Sequence, residues 1–497
     1  MQTKKTDPHK NLQEHASLYT LATILEQIIT IIATLLVRRF LGPVQTGIWS
    51  TMQLMLKYLS YGSLGMGAAV HREVAFYQAK NDLKRAEDIK NVFLSYQLIY
   101  SIVIASAFIL YAGIRNRYLE PQIFWALLLG AIYLLVLNMN KSLIIIMRAY
   151  RAFSLASKQI IASSIFNSIC VAVLSYYFQI YGFALGMILS YAFNALFILN
   201  RVHLKFKLLI NFRIMKELVQ YGFPILLIGL ANTIYLTVDQ IFIVTFLGLE
   251  AMGLYNIAIL AYRLVGNLPN AASNVMIPYF QEKHGMDPEG KALKREVFKS
   301  AEFFQWLAPP FIMTGWILCD EAIAILLPEF KGSIPSVKIL LLASYFYVLN
   351  YPFATYIVTI RKQFTMLLIT ILTILLAIVI NAIAIQKGWN LVGIAYGTLF
   401  LSYLRYAICQ YYTFLSNQMK SEWCYRHIQT VIIFMIVAAM GWVMQSCESM
   451  WSGFQLLAPW MLYILLLTGY FYRLNQRWGV MQVIKKVATA RFQKKTT

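Results

Sequence analysis

Two ten-residue stretches decide the fold: Phe40–Trp49, read as FLGPVQTGIW, and Phe246–Tyr255, read as FLGLEAMGLY. A constant offset of 206 residues separates them. Four positions are identical, namely Phe40/Phe246, Leu41/Leu247, Gly42/Gly248 and Gly47/Gly253. Each copy lies between two long apolar segments. We interpret the copies as equivalent short polar turns of a duplicated membrane domain.

The composition excludes an ordinary soluble protein. Of 497 residues, 59% are hydrophobic and only 13% are charged, whereas a soluble domain carries about 25% charged residues. Apolar runs of roughly 20 residues, the length that crosses a bilayer core, recur along the chain. The sequence therefore predicts an all-α polytopic membrane protein with about fourteen transmembrane helices, near 16–37, 47–70, 91–113, 122–147, 159–179, 182–200, 218–246, 253–280, 301–319, 337–359, 365–386, 391–414, 428–446 and 456–474.

A second pair of markers supports the duplication. Predicted helix 6 begins with Gly182, Ala184 and Gly186, and predicted helix 12 begins with Gly393, Ala395 and Gly397, at an offset of 211. Six helices is an even number, so both copies enter the membrane in the same sense, as in the parallel repeats of some transporters. We expect a six-helix half, a cytoplasmic connector, a second six-helix half, two extra helices and a basic tail, at 1–203, 204–217, 218–414, 428–474 and 475–497.

Basic residues set the expected orientation. With the N-terminus in the cytoplasm, 32 Lys and Arg residues fall in cytoplasmic loops and tails and 7 on the opposite side. This asymmetry predicts cytoplasmic N- and C-termini. The net charge of +22 then lies along the inner leaflet, where anionic lipids attract it, and no nucleic-acid partner is expected.

The sequence predicts no metal centre and no cofactor. The five cysteines are Cys170, Cys319, Cys409, Cys424 and Cys447, far apart and without a CxxC pair or a Cys/His cluster, which argues against zinc and a disulfide framework. The first apolar run contains Glu26 and ends at Arg38 and Arg39 without a small-residue cleavage site. We therefore expect a retained helix rather than a signal peptide.

Six ionisable residues fall inside predicted spans: the bases Lys57, Lys141, Arg263 and Arg405, and the acids Glu26 and Asp239. Such residues cost at least about 2.5 kcal/mol on insertion scales, and they usually face a cavity or a partner. Lys57 lies ten residues after Gly47, and Arg263 ten residues after Gly253, so both are expected near mid-membrane on equivalent helices. Lys141 is close enough to a helix end to reach the interface by snorkelling.

Polar residues accompany these charges at helical spacing. Arg263, Asn267 and Asn270 form one stripe, and Gln53 precedes Lys57 by one turn. With Arg405, these five residues are our candidates for binding an anionic headgroup. Glu26 and Asp239 are candidates for coupling to a proton or sodium gradient. Two alternatives stay open: a structural Glu26–Lys57 ion pair, and a partner for Asp239 at the outer mouth.

The sequence resembles the polysaccharide transporter family, the Wzx-type flippases of the multidrug/oligosaccharidyl-lipid/polysaccharide exporter superfamily. The resemblance is carried by the stretch Arg38–Trp49, by the Gly-x-Ala-x-Gly starts of helices 6 and 12, and by two extra C-terminal helices. It implies outward, alternating-access translocation of an undecaprenyl-diphosphate-linked oligosaccharide across the bacterial inner membrane. Lys57 and Arg263 match the family's cavity cations, although Lys57 stands where Arg is often found, and Glu26 matches its helix-1 acids.

Other functions are weighed against this one. A drug or metabolite antiporter of the same superfamily would favour acids in its cavity, whereas this chain has four intramembrane bases against two acids. A membrane polymerase or ligase needs catalytic groups in a large outer loop, and 320–336 holds Asp320, Glu321 and Glu329 without His or Arg. A purely structural subunit would leave the buried charges unexplained. We therefore expect a transporter rather than an enzyme, with membrane lipids and polysaccharide polymerase or chain-length machinery as further partners.

Overall fold

The computed structural model describes residues 8–115, 117, 121–150, 153–202, 206–287, 291–417 and 420–450. Within these ranges all regular secondary structure is helical, which confirms the predicted class. The α-helices are α1 (Pro8–Leu59), α2 (Met66–Ala79), α3 (Leu83–Arg115), α4 (Pro121–Ala149), α5 (Phe153–Val202), α6 (Phe212–Tyr235), α7 (Val238–Phe242), α8 (Gly248–Met286), α9 (Lys291–Leu326), α10 (Ile334–Thr359), α11 (Gln363–Gln386), α12 (Asn390–Ser416) and α13 (Lys420–Met450).

Eleven helical stretches of the described chain are long and apolar enough to cross a membrane. The two longest, Leu25–Ser63 with 39 residues and Leu155–Arg201 with 47, each contain two of the predicted helices. About 20 residues suffice for one crossing, so each of these stretches is long enough for two. Predicted helix 13 lies within α13, and predicted helix 14 and the basic tail lie outside the described residues.

The two marker stretches are not the ten-residue turns that the sequence predicted. In the first, the helix continues except at Gly42, whose backbone has φ 67° and ψ 178°. In the second, a π-helical turn (Ile243–Leu247) ends at Gly248, which has φ 88° and ψ −175°. Both glycines occupy a region of backbone space essentially restricted to glycine. The repeat therefore preserves a one-residue break at the same position in each copy.

The segments that follow these breaks pack against each other through reciprocal glycine contacts. A Cβ on Gly47 would overlap the carbonyl oxygen of Leu249, and a Cβ on Gly253 would overlap that of Pro43. Pro43 and Leu249 are themselves equivalent in the repeat. Gly47 contacts Leu249, and the equivalent residue Gly253 contacts Pro43, the equivalent of Leu249. Such reciprocal contacts are expected of two segments related by a two-fold axis.

The chain divides into two compact units. Unit 1 comprises Met1–Asn256 and Ile323–Gly332, and unit 2 comprises Ile257–Ala322 and Ser333–Thr497. Unit 1 has one apolar core around α2, α3, α4 and α6 and another that joins α1, α4 and α5. In unit 2, α10 is the most buried helix and packs on α12 and α11. The predicted division into sequence halves stays a prediction.

Predicted helices 2 and 7 differ from the structure in their boundaries. Predicted helix 2 is interrupted by a 3₁₀ turn (Ser60–Ser63) and resumes as α2, so most of the predicted charged loop after residue 70 is helical. Predicted helix 7 begins earlier, at Phe212, and breaks at Leu236 and Thr237. Local hydropathy does not reveal these breaks because the residues around them remain apolar.

The basic connector is anchored rather than loose. Asn91 and Ser95 of α3 accept hydrogen bonds from the backbone N–H groups of Lys207 (3.4 Å) and Leu209 (2.9 Å). Asn211 then caps α6 by accepting from the N–H groups of Arg213 and Ile214. Such side-chain acceptors satisfy donors that no helix or strand would pair.

Candidate functional site

Lys57 lies in the last turn of α1, directly before the 3₁₀ interruption. Its side chain is half-buried, and the Ser60 hydroxyl donates to its backbone carbonyl over 2.7 Å. Gln53, one turn earlier, is exposed. The sequence placed Lys57 in the middle of a continuous helix, whereas the structure places it where that helix ends. In membrane proteins, non-helical backbone is tolerated only where protein or a water-filled cavity surrounds it.

Two turns before Lys57, α1 makes a polar contact with its repeat-equivalent segment. Asn256 Nδ2 donates to Ser50 Oγ over 2.8 Å, and the Arg38 guanidinium donates to Asn256 Oδ1. Ser50 and Lys57 are seven residues apart and therefore lie on nearly the same face of α1. The face that carries Lys57 is thus the face that meets the second copy of the marker stretch.

Asp239 occupies the first turn of the short helix α7, after the break at Thr237. It is 9% exposed, and its Oδ1 accepts the N–H of Gln240 over 2.8 Å. Two residues earlier, Thr237 Oγ1 lies 2.6 Å from the Tyr58 hydroxyl. The structure therefore brings Asp239 close to the residue that follows Lys57, a proximity that the sequence did not predict. Its role in ion coupling stays a prediction.

Glu26 is half-buried on α1. Arg148, at the end of α4, lies within electrostatic range of its carboxylate, and Glu26 acts in turn on the Tyr191 hydroxyl. Tyr191 stacks at a tilt against Tyr133, with 5.6 Å between ring centroids. Arg148 and Tyr191 belong to the same unit as Glu26. The role of Glu26 in ion coupling stays a prediction.

In unit 2, Arg263 is exposed on α8 and Asn267, one turn later, is half-buried. The neighbouring Tyr262 is buried, with its ring 5.2 Å from that of Tyr347 and its hydroxyl 3.5 Å from Ser402 Oγ. Tyr262 therefore faces the interior of unit 2. Arg263, the next residue, is rotated from it by about 100° around the axis of α8. Asn270 lies on α8, but its side chain is outside the described part of the structure.

Arg405 differs from Arg263 in its surroundings. It is 7% exposed on α12, and its Nη2 donates to Thr370 Oγ1 of α11 over 3.4 Å. The sequence grouped Arg405 with the binding cations, and the structure places it in the packing between α11 and α12. This buried guanidinium therefore has a polar contact with α11, and its contribution to ligand binding stays a prediction.

The sequence did not predict a row of hydroxyl hydrogen bonds that joins the end of α1 and the following 3₁₀ turn to the end of α6. The Tyr58 hydroxyl lies 2.6 Å from Thr237 Oγ1, and the Tyr61 hydroxyl bonds to Thr233 Oγ1 and donates to the Gly229 carbonyl over 2.9 Å. The signal was present in the spacing. Tyr58 and Tyr61 are three residues apart, and Thr233 and Thr237 are four apart, which in the continuous helices predicted from the sequence would place each pair on one face.

A second missed cluster fixes α13 to α12. His427 Nδ1 contacts Gln410 Oε1 at 2.7 Å, and its Nε2 contacts the Tyr403 hydroxyl at 3.0 Å. Since the amide oxygen only accepts, Nδ1 carries the proton and Nε2 accepts from Tyr403. The ring is stacked between Tyr406 and Trp423. This cluster has no counterpart among the sequence predictions, because His427 lies in a helix outside the repeat.

No group of three or more His, Cys, Asp or Glu that could hold a metal ion occurs in the described ranges. The candidate binding residues are bases and amides. Bases donate charge-assisted hydrogen bonds to phosphate oxygens.

Comparison with known families identifies the chain. A family model described as "Polysaccharide biosynthesis protein" matches residues 73–335, which is more than half of the 497 residues. The chain belongs to this family. A comparison with curated proteins finds no match.

The fold of this chain is similar to that of several solved membrane-protein structures. It is similar to an inward-facing multidrug resistance MATE transporter of the MOP superfamily, with a TM-score of 0.65 and 14% identity over 78% of this chain and 94% of that one. It is also similar to an outward-facing MATE transporter, with a TM-score of 0.58 and 12% identity over 84% and 98%.

A third similar structure is a MOP superfamily transporter from Pyrococcus furiosus, with a TM-score of 0.57 and 15% identity over 85% of this chain and 99% of that one. For that protein, a reversed polarity of the binding pocket is described as suggesting a different function. The family match and these folds confirm the resemblance drawn from the sequence. The chain is a multi-pass membrane protein of the polysaccharide biosynthesis family, and its fold is that of MOP-superfamily transporters.

Proposed function

We propose that this transporter moves an oligosaccharide linked to undecaprenyl diphosphate across the bacterial inner membrane by alternating access. One observation carries the proposal: a transporter of the polysaccharide biosynthesis family has membrane-embedded bases at equivalent positions of its two repeats, Lys57 and Arg263. Bases at this depth are costly unless they serve a ligand or a partner. A diphosphate between a lipid and a sugar is an anion that has to cross this region.

The residues around the bases fit such a ligand. Lys57 offers a point charge at a helix end, and Arg263 offers a planar donor fork that matches phosphate oxygens. Gln53, Asn267 and Asn270 provide amides for sugar hydroxyls. Arg405 is the third candidate base, in contact with Thr370. Glu26 and Asp239 are the candidate groups for coupling to a proton or sodium gradient.

A drug or metabolite antiporter of the same superfamily is the second candidate. Two observations favour it. The chain has a fold similar to that of MATE transporters, and the acid Asp239 is buried, two residues after the Thr237 that contacts Tyr58. The excess of intramembrane bases over acids argues for the anionic ligand instead. A membrane polymerase or ligase is disfavoured because Asp320, in the segment predicted as the outer loop, forms an ion pair with Lys338 at 2.6 Å.

The test is reconstitution of the purified protein in vesicles of phosphatidylethanolamine and phosphatidylglycerol. A fluorescent undecaprenyl diphosphate–disaccharide is incorporated in both leaflets, and its accessibility to an added quencher is followed over time. Protein-dependent translocation that a cationic drug does not inhibit supports the flippase. Drug transport without movement of the lipid would instead establish the antiporter. Cytoplasmic termini, as the charge asymmetry predicts, would be checked by labelling added single cysteines.

A further inference from the structure

The interruption after Lys57 changes the partners of the carbonyl oxygens that a continuous α-helix would pair with N–H groups four residues later. It consists of the 3₁₀ turn Ser60–Ser63 followed by Leu64 and Gly65, both left-handed with φ of 52° and 76°. An unpaired carbonyl in the bilayer region costs several kcal/mol. The described structure pairs three of these carbonyls, those of Lys57, Leu59 and Gly62, with side-chain hydroxyl groups.

Two of the hydroxyl donors come from one face of α3. The Tyr96 hydroxyl donates to the Gly62 carbonyl over 2.7 Å, and the Tyr100 hydroxyl donates to the Leu59 carbonyl. The two rings are stacked, with 6.2 Å between centroids and 4° between planes. Tyr96 and Tyr100 are four residues apart, so the helix itself sets their spacing. The donors are thus built into a rigid element on one side of the interruption.

The opposite side of the interruption is held by α6. Tyr58 and Tyr61 bond to Thr237 and Thr233, as described above. Gly65 packs so closely on Gly222 that a Cβ on either glycine would overlap the carbonyl of the other. The 3₁₀ turn that follows Lys57 is therefore held by tyrosines of α3 and by residues of α6, in addition to its own backbone hydrogen bonds.

The interruption also separates the two apolar cores of unit 1. Leu56, next to Lys57, belongs to the core with Trp49 and Met52. Met66, directly after the interruption, belongs to the other core, with Val70 and Phe93. The backbone from Leu59 to Gly62 links these two cores, so its hydrogen bonds contribute to the position of Lys57 relative to the second core.

We propose that Tyr96 and Tyr100 are positioning residues for Lys57: their hydroxyl groups hold the carbonyls of Gly62 and Leu59 and so set where the Lys57 ammonium group meets the diphosphate. The inference deepens the proposed function and rests on the assignment of Lys57 as a binding base. Neither tyrosine contacts the ligand in this account. Their effect passes through the backbone of a single turn.

The experiment uses Tyr96→Phe, Tyr100→Phe and the double variant, which keep the stacked rings and remove only the hydroxyl groups. Translocation of the fluorescent undecaprenyl diphosphate–disaccharide is measured in the vesicles described above as a function of probe concentration. We expect each single variant to raise KM about threefold to tenfold, the effect of one membrane hydrogen bond, and to change kcat less than twofold. Tyr177→Phe is the matched control, because Tyr177 is 71% exposed on α5 and should behave as the parent does.

A second measurement separates positioning from general stabilisation. Binding of the same probe is measured in nanodiscs for the tyrosine variants in the parent and in a Lys57→Gln background. If the tyrosines act through Lys57, their substitution weakens binding in the parent and has no further effect in Lys57→Gln. Equal weakening in both backgrounds, with Lys57→Gln itself impaired, overturns this inference and leaves the proposed function intact. Parent-like binding by Lys57→Gln would overturn the Lys57 assignment itself, and this inference with it.

Discussion

Asn256 donates a hydrogen bond to Ser50 over 2.8 Å, and these two residues occupy the same position in the two copies of the repeat, 206 residues apart. Arg38 donates to the same Asn256 side chain. Next to this pair, Gly47 and Gly253 bring the two backbones into direct contact. The two duplicated stretches therefore mark equivalent points of the fold, and they also contact each other directly.

The Ser50–Asn256 contact predicts unequal effects of two alanine substitutions. Ser50→Ala removes one neutral hydrogen bond and should lower the stability by about 1 kcal/mol. Asn256→Ala also removes the acceptor of Arg38 and should cost about 2–3 kcal/mol. Thermal unfolding of the purified protein in detergent measures both. In a double-mutant cycle the two effects should be less than additive, and full additivity would argue against the contact.

Lys57→Ala and Arg263→Ala should each abolish translocation of the lipid-linked sugar while the protein remains in the membrane. The reason is that each removes a charge that the diphosphate requires. Lys57→Arg should retain activity, since it keeps the charge. Lys387→Ala is the control, because Lys387 is exposed at the end of α11. Full activity of either alanine variant in a complementation assay would reject the binding assignment.

Gly248 and Gly285 offer a matched test of the backbone break. A Cβ on either glycine would meet nothing within 4 Å, so steric overlap is excluded at both. Gly248 has φ 88°, whereas Gly285 is helical. Gly248→Ala should therefore lower the stability by about 1–3 kcal/mol through backbone strain alone. Gly285→Ala should be neutral or stabilise by about 0.5–1 kcal/mol. Equal melting temperatures for the two variants would contradict the strained break.

Glu26→Gln and Asp239→Asn test the coupling of transport to an ion gradient. Each substitution removes an exchangeable charge and preserves the shape of the side chain. If one acid carries the ion, its neutral variant should translocate the probe at a rate that no longer responds to an imposed proton or sodium gradient. The measurement compares vesicles with and without each gradient. A parent-like response of both variants would exclude these two residues as coupling sites.

The extent of prediction from sequence differs between fold and site. The helical membrane class and the register of the repeat followed from apolar runs and from the offset that maps Gly42 onto Gly248, and the structure confirms both. The site was predicted only as a set of residue types at certain depths. Thr237 and Tyr58 come together across 179 positions of sequence, and no local pattern encodes that proximity.

By itself, then, the sequence determined that the chain is a helical membrane protein, and it predicted the duplication and the bases within the spans. The class follows from hydropathy, which acts along the chain one helix at a time. Only the tertiary structure decided that the helix ends after Lys57, that Tyr96 and Tyr100 donate to carbonyls of the turn that follows, and that Arg405 lies in the packing between α11 and α12. A hydrogen bond between distant helices depends on their relative position, and that position is a property of the whole packed unit.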